Sequence, residues 1–317
     1  MSLDADARKW LADVTFGRVR YDEPMSRHTS FRVGGPAAAF VEPETSDELS
    51  VLVVGLADRG IPYQVVGGGT NLIVTDIGIS GVVICLKPCM SEILIENISD
   101  SQSRVTVMAG TSLRLFCSQL IRKGLKGMNF ALGIPGTVGG AIRMNAGTAL
   151  GWISDVLESV TVLYPSGLQE SIDRNALSFS YRKLLLPRLT CEEALFHQTI
   201  IVSGRFSLCR ASSTDLKQEA REILKNRKCR QPATLPSAGC IFKNPLVGKT
   251  AGELIHLCGL KGLKIGGAEI SVKHANFIVN TGPAVAADIL SLMECVRQTV
   301  FERFNVNLEP EVIVIGN

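Results

Sequence analysis

The sequence has few aromatic residues, little net charge and no long apolar run. Phe, Trp and Tyr make up 6% of its 317 residues, and the net charge at pH 7 is +3. A net charge this small argues against the basic surface through which nucleic-acid-binding proteins release counterions. No window reaches the ~18–20 uncharged apolar residues of a membrane span, and acidic residues precede any apolar run at the N-terminus, unlike in a signal peptide. We therefore expect a cytoplasmic protein without nucleic-acid or membrane partners.

The nine cysteines lack the spacing of a metal or redox motif. Their number is odd, and no pair has the C-x-x-C spacing of a zinc or dithiol site. Most lie in apolar segments, which is typical of reduced, core-filling thiols in a cytosolic protein. We expect eight of them to fill the core: Cys85, Cys89, Cys117, Cys191, Cys209, Cys229, Cys258 and Cys295. The ninth, Cys240, follows a turn of small residues instead.

The length of the chain predicts two or three domains, since cores above roughly 250–300 residues usually divide. Strand-like and helix-like segments alternate in the first half, and the composition changes near residues 207–213. Capping residues and apolar periodicity predict the elements. They include helices over 45–58, 111–123, 214–228, 250–257 and 283–304 and strands over 37–41, 72–74 and 311–315. The sequence thus predicts an α+β fold with a larger region before the composition change and a smaller domain after it.

Two glycine-rich segments indicate a bound cofactor. Residues 65–74 read VVGGGTNLIV, and residues 133–147 read GIPGTVGGAIRMNAG. Successive small residues let several backbone N–H groups point into one concavity, which suits a diphosphate, and glycine permits close approach by a flat ligand. Neither segment is a Rossmann fingerprint or a P-loop. A pair of tight turns without a ligand is the alternative.

Three further segments carry residues that could do chemistry. Arg182 ends the run FSYR and is a bidentate donor for a carboxylate or phosphate, although a surface ion pair would also explain it. LEPEV, residues 308–312, places two acids before the last strand, where a solvated turn is the alternative. Lys273 and His274 precede an apolar strand and could border a pocket. No Ser-His-Asp triad or metal cluster can be assembled, so these residues alone indicate a two-lobed protein with a diphosphate-bearing cofactor and a cleft.

Cys240 lies in LPSAGCIFKNP, residues 235–245, between a small-residue turn and an apolar pair. The segment by itself predicts only a turn before a strand.

Seven segments together resemble one family of enzymes. In chain order they are HTSFRVGGP (28–36), VVGGGTNLIV (65–74), GIPGTVGGAIRMNAG (133–147), FSYR (179–182), LPSAGCIFKNP (235–245), GLKGLKIGGAEISVKHANFIVN (259–280) and LEPEV (308–312). They resemble the UDP-N-acetylenolpyruvoylglucosamine reductases, flavoenzymes of peptidoglycan precursor synthesis. The resemblance covers residues 20–316.

The resemblance implies a cofactor domain and a substrate domain. The cofactor domain would be an FAD-binding domain of the vanillyl-alcohol oxidase type, with subdomains at 1–85 and 86–208. A smaller α+β substrate-binding domain would occupy 209–317, and its last strand near 311–315 would return to the active site. FAD would be held non-covalently by Gly67, Gly68, Gly69, Thr70, Asn71, Leu72, Gly133, Ile134, Pro135, Gly136, Thr137, Val138, Gly139, Gly140, Ala141, Asn145, Ala146 and Gly147.

The resemblance also implies a reaction. NADPH reduces the flavin, which passes a hydride to the enolpyruvyl ether of UDP-N-acetylglucosamine-enolpyruvate and so yields UDP-N-acetylmuramate. Arg182 and Glu311 would polarise the substrate's carboxylate. Cys240 occupies the position at which most members have a serine that protonates the resulting enolate. A thiol, with a reference pKa of about 8.5, is a stronger acid than a hydroxyl and can serve as this donor.

One departure from the family bears on substrate binding. No tyrosine follows Tyr181, so the chain is similar to the subclass without the tyrosine-bearing lid loop. We expect Tyr181, Arg230, Asn244 and Lys264 to bind substrate, and a monomeric protein. Two alternatives stay open: another FAD-dependent oxidoreductase of the same fold, such as a sugar or alcohol oxidase, and an inactive nucleotide-sugar-binding relative.

Overall fold

The computed structural model describes residues 3–87, 89–187, 198–232 and 234–316. The described α-helices are α1 (Ala5–Val14), α2 (Ser46–Asp58), α3 (Leu113–Arg122), α4 (Val138–Arg143), α5 (Ser213–Arg230), α6 (Ala251–Leu257) and α7 (Ala286–Phe304). None of these helices combines the length and the apolar character that crossing a membrane requires.

The strands are short except for β15. They are β1 (Arg20–Pro24), β2 (Pro36–Val41), β3 (Tyr63–Val66), β4 (Leu72–Val74), β5 (Ile79–Cys85), β6 (Ile93–Asn97), β7 (Gln102–Met108), β8 (Leu125–Lys126), β9 (Gly147–Thr148), β10 (Gly151–Trp152), β11 (Leu157–Leu163), β12 (Gln169–Asp173), β13 (Ser178–Ser180), β14 (Lys183–Leu185), β15 (Ile200–Arg210), β16 (Lys264–Ile265), β17 (Ala268–Ile270), β18 (Ile278–Asn280) and β19 (Ile313–Ile315).

Helix α2 begins where its capping signal predicted. The hydroxyl of Thr45 accepts a 3.1 Å hydrogen bond from the backbone N–H of Glu48, which satisfies a donor of the first turn. The acids Asp47 and Glu48 also favour the positive end of the helix dipole. The helix predicted over 111–123 is shorter, because Ser112 rather than Thr111 is its N-cap.

The chain forms two compact units, which do not follow the three contiguous spans implied by the resemblance. The first unit comprises Met1–Tyr21, Ala39–Gly68 and Gly81–Lys225. The second unit comprises Asp22–Ala38, Gly69–Ser80 and Asn226–Asn317. Two segments of the span 1–85 thus belong to the unit that carries the C-terminal residues. The boundary expected at 208/209 instead falls inside helix α5.

The first unit is built on an antiparallel sheet with the strand order β12-β11-β15-β7-β6, and β8 pairs with β15. Strands β3 and β5 pair in parallel in a second sheet, which has the order β1-β2-β5-β3. Helices α2 and α3 contribute Leu52, Phe116 and other apolar side chains to one core. Helix α4 packs on β15, where a side chain at Gly204 would run into Ile142.

The second unit has a core of its own. A three-stranded antiparallel sheet with the order β16-β17-β18 packs against helix α7, whose Ile289, Leu292 and Val296 are buried. Strand β19 pairs in parallel with β4, with Ile313 opposite Leu72. The last strand therefore ends beside the residues that follow the glycines of the first glycine-rich segment.

The prediction that eight cysteines fill the core is wrong for several of them. Cys85 and Cys117 are buried, but Cys209 and Cys229 are exposed. Cys209 lies near the exposed end of β15, and Cys229 lies in the solvated last turn of α5. Three others are half-buried: Cys89, Cys258 and Cys295. Cys191 lies outside the described residues.

Candidate functional site

The two glycine-rich segments meet in the first unit at Gly67 and Thr137. A Cβ added to Gly67 would overlap the hydroxyl oxygen of Thr137, so no larger residue fits there without a shift. Thr137 is the N-cap of helix α4, and its hydroxyl accepts a hydrogen bond from the N–H of Gly140. No helix is predicted from the sequence of the second segment, yet it contains this short one. Glycine has a poor helix propensity, which hides the helix in the sequence.

The second glycine-rich segment is held against the strand edge of the first unit. The N–H of Gly139 donates to the carbonyl of Ala109 at 2.8 Å, and the N–H of Val138 donates to Thr111 at 2.9 Å. The N–H of Leu113 returns a 3.0 Å bond to Gly136. These bonds fix the backbone of the segment independently of any ligand.

Unpartnered polar atoms flank this segment and fit a polar cofactor. Within the described part of the chain, the hydroxyl of Thr111 and the side-chain amide nitrogen of Asn129 are buried without a hydrogen-bond partner. The carbonyl of Asn129 accepts the N–H of Leu132, the residue directly before Gly133, so Asn129 belongs to the turn that leads into the segment. Because buried polar atoms are costly when unpaired, a polar ligand group beside Gly133–Gly139 would stabilise the site.

The rest of the first glycine-rich segment belongs to the second unit. The carbonyl of Gly69 accepts the N–H of Ser30 at 2.9 Å. The side-chain amide of Asn71 donates to the carbonyl of Glu311 at 3.1 Å, and the carbonyl of Asn71 accepts the N–H of Ile313. Asn71, predicted to bind the cofactor, therefore anchors both Glu311 and the start of strand β19.

The segments that carry Cys240 and Glu311 are joined by a short antiparallel ladder in the second unit. The N–H of Glu311 donates to the carbonyl of Ile241 at 2.7 Å, and the N–H of Lys243 donates to Glu309 at 2.8 Å. Between these bonds, Phe242 forms a bridge with Pro310. Both Cys240 and Glu311 are half-buried.

A buried amide clamps this ladder. The side-chain oxygen of Asn276 accepts the N–H of Phe242 at 3.0 Å, while its nitrogen donates to the carbonyl of Phe242 at 2.8 Å. Asn276 is buried, and so is Phe242. Both backbone groups of the residue two positions after Cys240 are thereby satisfied by one side chain.

Cys240 opens onto a cavity of the second unit with a volume of about 390 Å³. The residues that line it with Cys240 are Asn244, Thr250, Gly252, Glu253, His256, Lys261, Lys273, His274, Ala275 and Asn276. The prediction that Lys273 and His274 border a pocket is confirmed. Two lysines against one glutamate give the cavity a net positive lining, which suits an anionic ligand such as a diphosphate.

Burial controls the charge of His274. Burial and, to a smaller extent, the nearby Lys261 lower the pKa of the His274 imidazole below its ordinary value. The ring is therefore neutral at pH 7 and can accept as well as donate a hydrogen bond. Lys273 is tethered by a 2.6 Å bond from its ammonium to the carbonyl of Lys228. Bonds from Thr250 lower the pKa of Glu253, which keeps that carboxylate ionised.

Arg182 lies in the first unit, in the two-residue turn between β13 and β14. Its backbone is left-handed, with φ of +59°, a region that non-glycine residues rarely adopt. Its guanidinium donates to the carbonyl of Gly147 at 3.2 Å. The side-chain amide of Asn145 donates to Ser180 at 3.3 Å, so the end of the second glycine-rich segment holds the turn that presents Arg182.

The remaining substrate-binding predictions have different surroundings. Tyr181 lies beside Arg182, and the side-chain oxygen of Asn244 accepts the N–H of Ala251 at the start of α6. Arg230, at the exposed end of α5, and the exposed Lys264, which pairs with Glu269 at 3.2 Å, do not line the cavity. Their role in binding substrate stays a prediction.

Sequence reasoning missed several residues of the cavity. Lys261 and His256 were not proposed, although Thr250 and Glu253 form a capping box that predicts helix α6 beside them. Among the described residues there is also no group of three His, Cys, Asp or Glu that could hold a metal ion.

Known proteins resemble the whole chain. Family models match over residues 37–173, for an FAD-binding domain, and over residues 231–315, for the C-terminal domain of UDP-N-acetylenolpyruvoylglucosamine reductase. The reductase of this name from Desulfosudis oleivorans is 45% identical over 99% of this chain and 100% of its own length. That from Halalkalibacterium halodurans is 39% identical over 96% of this chain and 97% of its own length.

A solved structure is similar over the same extent. The crystal structure of UDP-N-acetylenolpyruvylglucosamine reductase from Thermus caldophilus aligns with a TM-score of 0.76 at 36% identity, covering 92% of this chain and 97% of the other. The predicted α+β fold with an FAD-binding domain is thereby confirmed. The chain belongs to the UDP-N-acetylenolpyruvoylglucosamine reductase family.

Proposed function

We propose that the protein reduces the enolpyruvyl ether of UDP-N-acetylglucosamine-enolpyruvate to UDP-N-acetylmuramate in the cytoplasm, with NADPH as co-substrate and non-covalently bound FAD. The observation that carries the proposal is the ladder joining the segments of Cys240 and Glu311 beside the positively lined cavity. When bound, FAD supplies a hydride acceptor for NADPH and a hydride donor for the terminal carbon of the enolpyruvyl group.

The residues of the first unit would bind the cofactor and the substrate's carboxylate. The fixed backbone at Gly136–Gly139 and the unpartnered atoms of Thr111 and Asn129 support cofactor binding there. Arg182 would bind the carboxylate through charge-assisted hydrogen bonds. Negative charge grows on that carboxylate as the hydride arrives, so a donor held in place stabilises the transition state more than the substrate.

In the second unit, Cys240 would supply the proton. Hydride addition leaves an electron pair delocalised from the carbon next to the carboxylate, and the thiol proton passes to that carbon. The resulting thiolate regains its proton from solvent. Glu311 would act in its protonated form, in which it can donate a hydrogen bond to the carboxylate instead of repelling it. The Lys261 and Lys273 side chains support binding of the diphosphate in the cavity beside Cys240.

A steady-state experiment tests the proposed activity. The purified protein is examined for flavin absorbance, and NADPH oxidation is then followed with and without UDP-N-acetylglucosamine-enolpyruvate. We expect bound flavin, substrate-dependent NADPH oxidation and a product with the mass of UDP-N-acetylmuramate. Substrate binding without turnover would identify the protein as an inactive nucleotide-sugar-binding relative instead.

The mode of flavin attachment separates the proposal from an oxidase of the same fold. After denaturation and filtration, we expect the flavin to pass through the membrane, because the proposed binding is non-covalent. Flavin that stays with the denatured chain, together with oxidation of a sugar or alcohol, would favour the oxidase.

A further inference from the structure

Trp152 contacts Arg182, although it belongs to none of the segments that carry the family resemblance. The Arg182 guanidinium carbon lies 5.4 Å from the centroid of the Trp152 ring and 5.1 Å from that of Tyr181. The two rings meet edge to face, with centroids 5.7 Å apart and an interplanar angle of 76°. A guanidinium within about 6 Å of a ring centroid is attracted by the negative face of the ring.

The backbone around Trp152 fixes the position of its ring. Trp152 is paired with Gly147 across the β9–β10 hairpin, and its own N–H donates to the carboxylate of Asp155 at 2.8 Å. The ring packs directly on Gly147, where an added Cβ would overlap it. The carbonyl of the same glycine accepts the bond from Arg182. One residue therefore supports both the indole and the guanidinium.

The arginine needs such a support because its side chain is long and its backbone is strained. Arginine carries several rotatable bonds, and a guanidinium that must be ordered when substrate binds loses part of the gain from its hydrogen bonds. Two aromatic rings and one carbonyl order it beforehand. A rigid electrophilic group is worth more in the transition state than a mobile one.

We propose that Trp152 is a positioning residue of the reaction, which acts through Arg182 by holding its guanidinium in the orientation that binds the substrate's carboxylate. This inference rests on the proposed function. The indole contacts the guanidinium rather than the carboxylate, and its effect depends on the electron density of its ring and on the presence of Arg182.

A double-mutant cycle tests this dependence. Trp152→Leu and Trp152→Phe are made in the wild type and in an Arg182→Gln background. We expect Trp152→Leu to lower kcat/KM for the enolpyruvyl substrate about 3- to 30-fold, the range of a cation–π contact. The Kd of the substrate for the oxidised enzyme, read from the flavin spectrum, should rise, while flavin reduction by NADPH should stay within about 2-fold. Trp152→Phe should retain most of the activity.

The Arg182→Gln background decides between positioning and a general structural role. In this background we expect Trp152→Leu to change kcat/KM and the Kd of the substrate by less than a further factor of about 2, because the guanidinium through which Trp152 acts is gone. An equal proportional loss in both backgrounds would overturn the inference, as would a Trp152→Phe variant as impaired as Trp152→Leu. Wild-type protein without enolpyruvyl reduction would instead contradict the proposed function.

Fluorinated tryptophan keeps the test independent of folding defects in the variants. Fluorination withdraws electron density from the indole face with little change in shape, so log(kcat/KM) should fall steadily with each added fluorine. The other tryptophan, Trp10, has its ring centroid 4.2 Å from the guanidinium carbon of Arg59. It is first replaced by Trp10→Phe, so that Trp152 is the only indole that carries fluorine. A value of kcat/KM that does not change along the fluorine series would overturn the inference.

Discussion

The backbone N–H of Glu311 donates a 2.7 Å hydrogen bond to the carbonyl of Ile241, the residue directly after Cys240. The bond joins two segments that lie far apart in the sequence: one follows the predicted proton donor directly, and the other contains the acid predicted to act on the substrate's carboxylate. Asn276 holds the ladder through both backbone groups of Phe242. The position of Cys240 therefore depends on the buried side-chain amide of Asn276.

Asn276→Ala should destabilise the protein strongly. It leaves the N–H and the carbonyl of Phe242 buried without partners, which costs roughly 2–5 kcal/mol in the free energy of unfolding. Asn276→Asp is a second probe: it keeps an acceptor for the N–H but sets a carboxylate oxygen against the carbonyl of Phe242, so it should also destabilise the protein, and more so at a pH at which the carboxylate ionises. Urea unfolding of the three proteins measures both effects. If Asn276→Ala were as stable as wild type, the two hydrogen bonds from Asn276 to Phe242 would not stabilise the ladder.

Gly67→Ala should weaken the binding of FAD. The new methyl group would overlap the Thr137 hydroxyl and force apart the two glycine-rich segments at the point where they meet. Overpacking of this kind costs ~1–3 kcal/mol, so we expect the Kd of FAD to rise roughly 5- to 150-fold. The measurement is titration of the apoprotein with FAD by flavin fluorescence.

Gly140→Ala is the control for this substitution. Its Cβ would lie 3.6 Å from the same hydroxyl, an ordinary contact, and it falls within helix α4. We expect its affinity for FAD to stay close to that of wild type. Equal losses in the two variants would show that the close approach of Gly67 to Thr137 does not matter for the cofactor.

Arg182→Gly should separate stability from activity. With φ of +59°, Arg182 is strained, and glycine adopts this conformation without cost whereas alanine does not. Arg182→Gly should therefore be about 1 kcal/mol more stable than Arg182→Ala, while both variants lose the reduction of substrate. Thermal unfolding and turnover are compared for the pair. If Arg182→Ala were as stable as Arg182→Gly, the backbone at position 182 would not be strained.

His274 should make the protein less stable in mild acid. Burial lowers its pKa in the folded state, so the unfolded chain binds more protons between that pKa and its ordinary value of 6.5. The free energy of unfolding should therefore fall as the pH drops below about 6.5 and the unfolded imidazole takes up its proton. His274→Gln should flatten this dependence. The control is His256→Gln at the exposed neighbouring histidine, and an equal flattening there would refute the assignment.

The sequence was most informative where function constrains local composition. The cap of α2 is a local signal, and the helix begins where it predicted. The glycine-rich segments and the FSYR run also stand out locally, and their binding roles stay predictions. Helix α4 was missed, because its glycines oppose a helix that Thr137 and the contacts with Ala109 and Thr111 stabilise. Tertiary contacts outweigh propensity at that point.

The arrangement of the units could not be read from local patterns. Residues 22–38 and 69–80 join the C-terminal unit through long-range pairs such as β4 with β19 and the bond from Asn280 to Phe31. The cavity likewise combines Cys240 with helix α6 and with the segment around His274, and local patterns do not show that these parts of the chain meet. No sequence motif predicts the contact between Trp152 and Arg182.

The central claim is that Cys240 protonates the substrate, and the reoxidation of the reduced flavin tests it most directly. Enzyme reduced with NADPH under anaerobic conditions is mixed rapidly with UDP-N-acetylglucosamine-enolpyruvate, and flavin absorbance is followed. We predict that Cys240→Ala is reduced by NADPH at the normal rate but is reoxidised by substrate more slowly by a factor on the order of 10²–10⁴, while Cys240→Ser remains active. Reoxidation of Cys240→Ala at the wild-type rate would contradict the account.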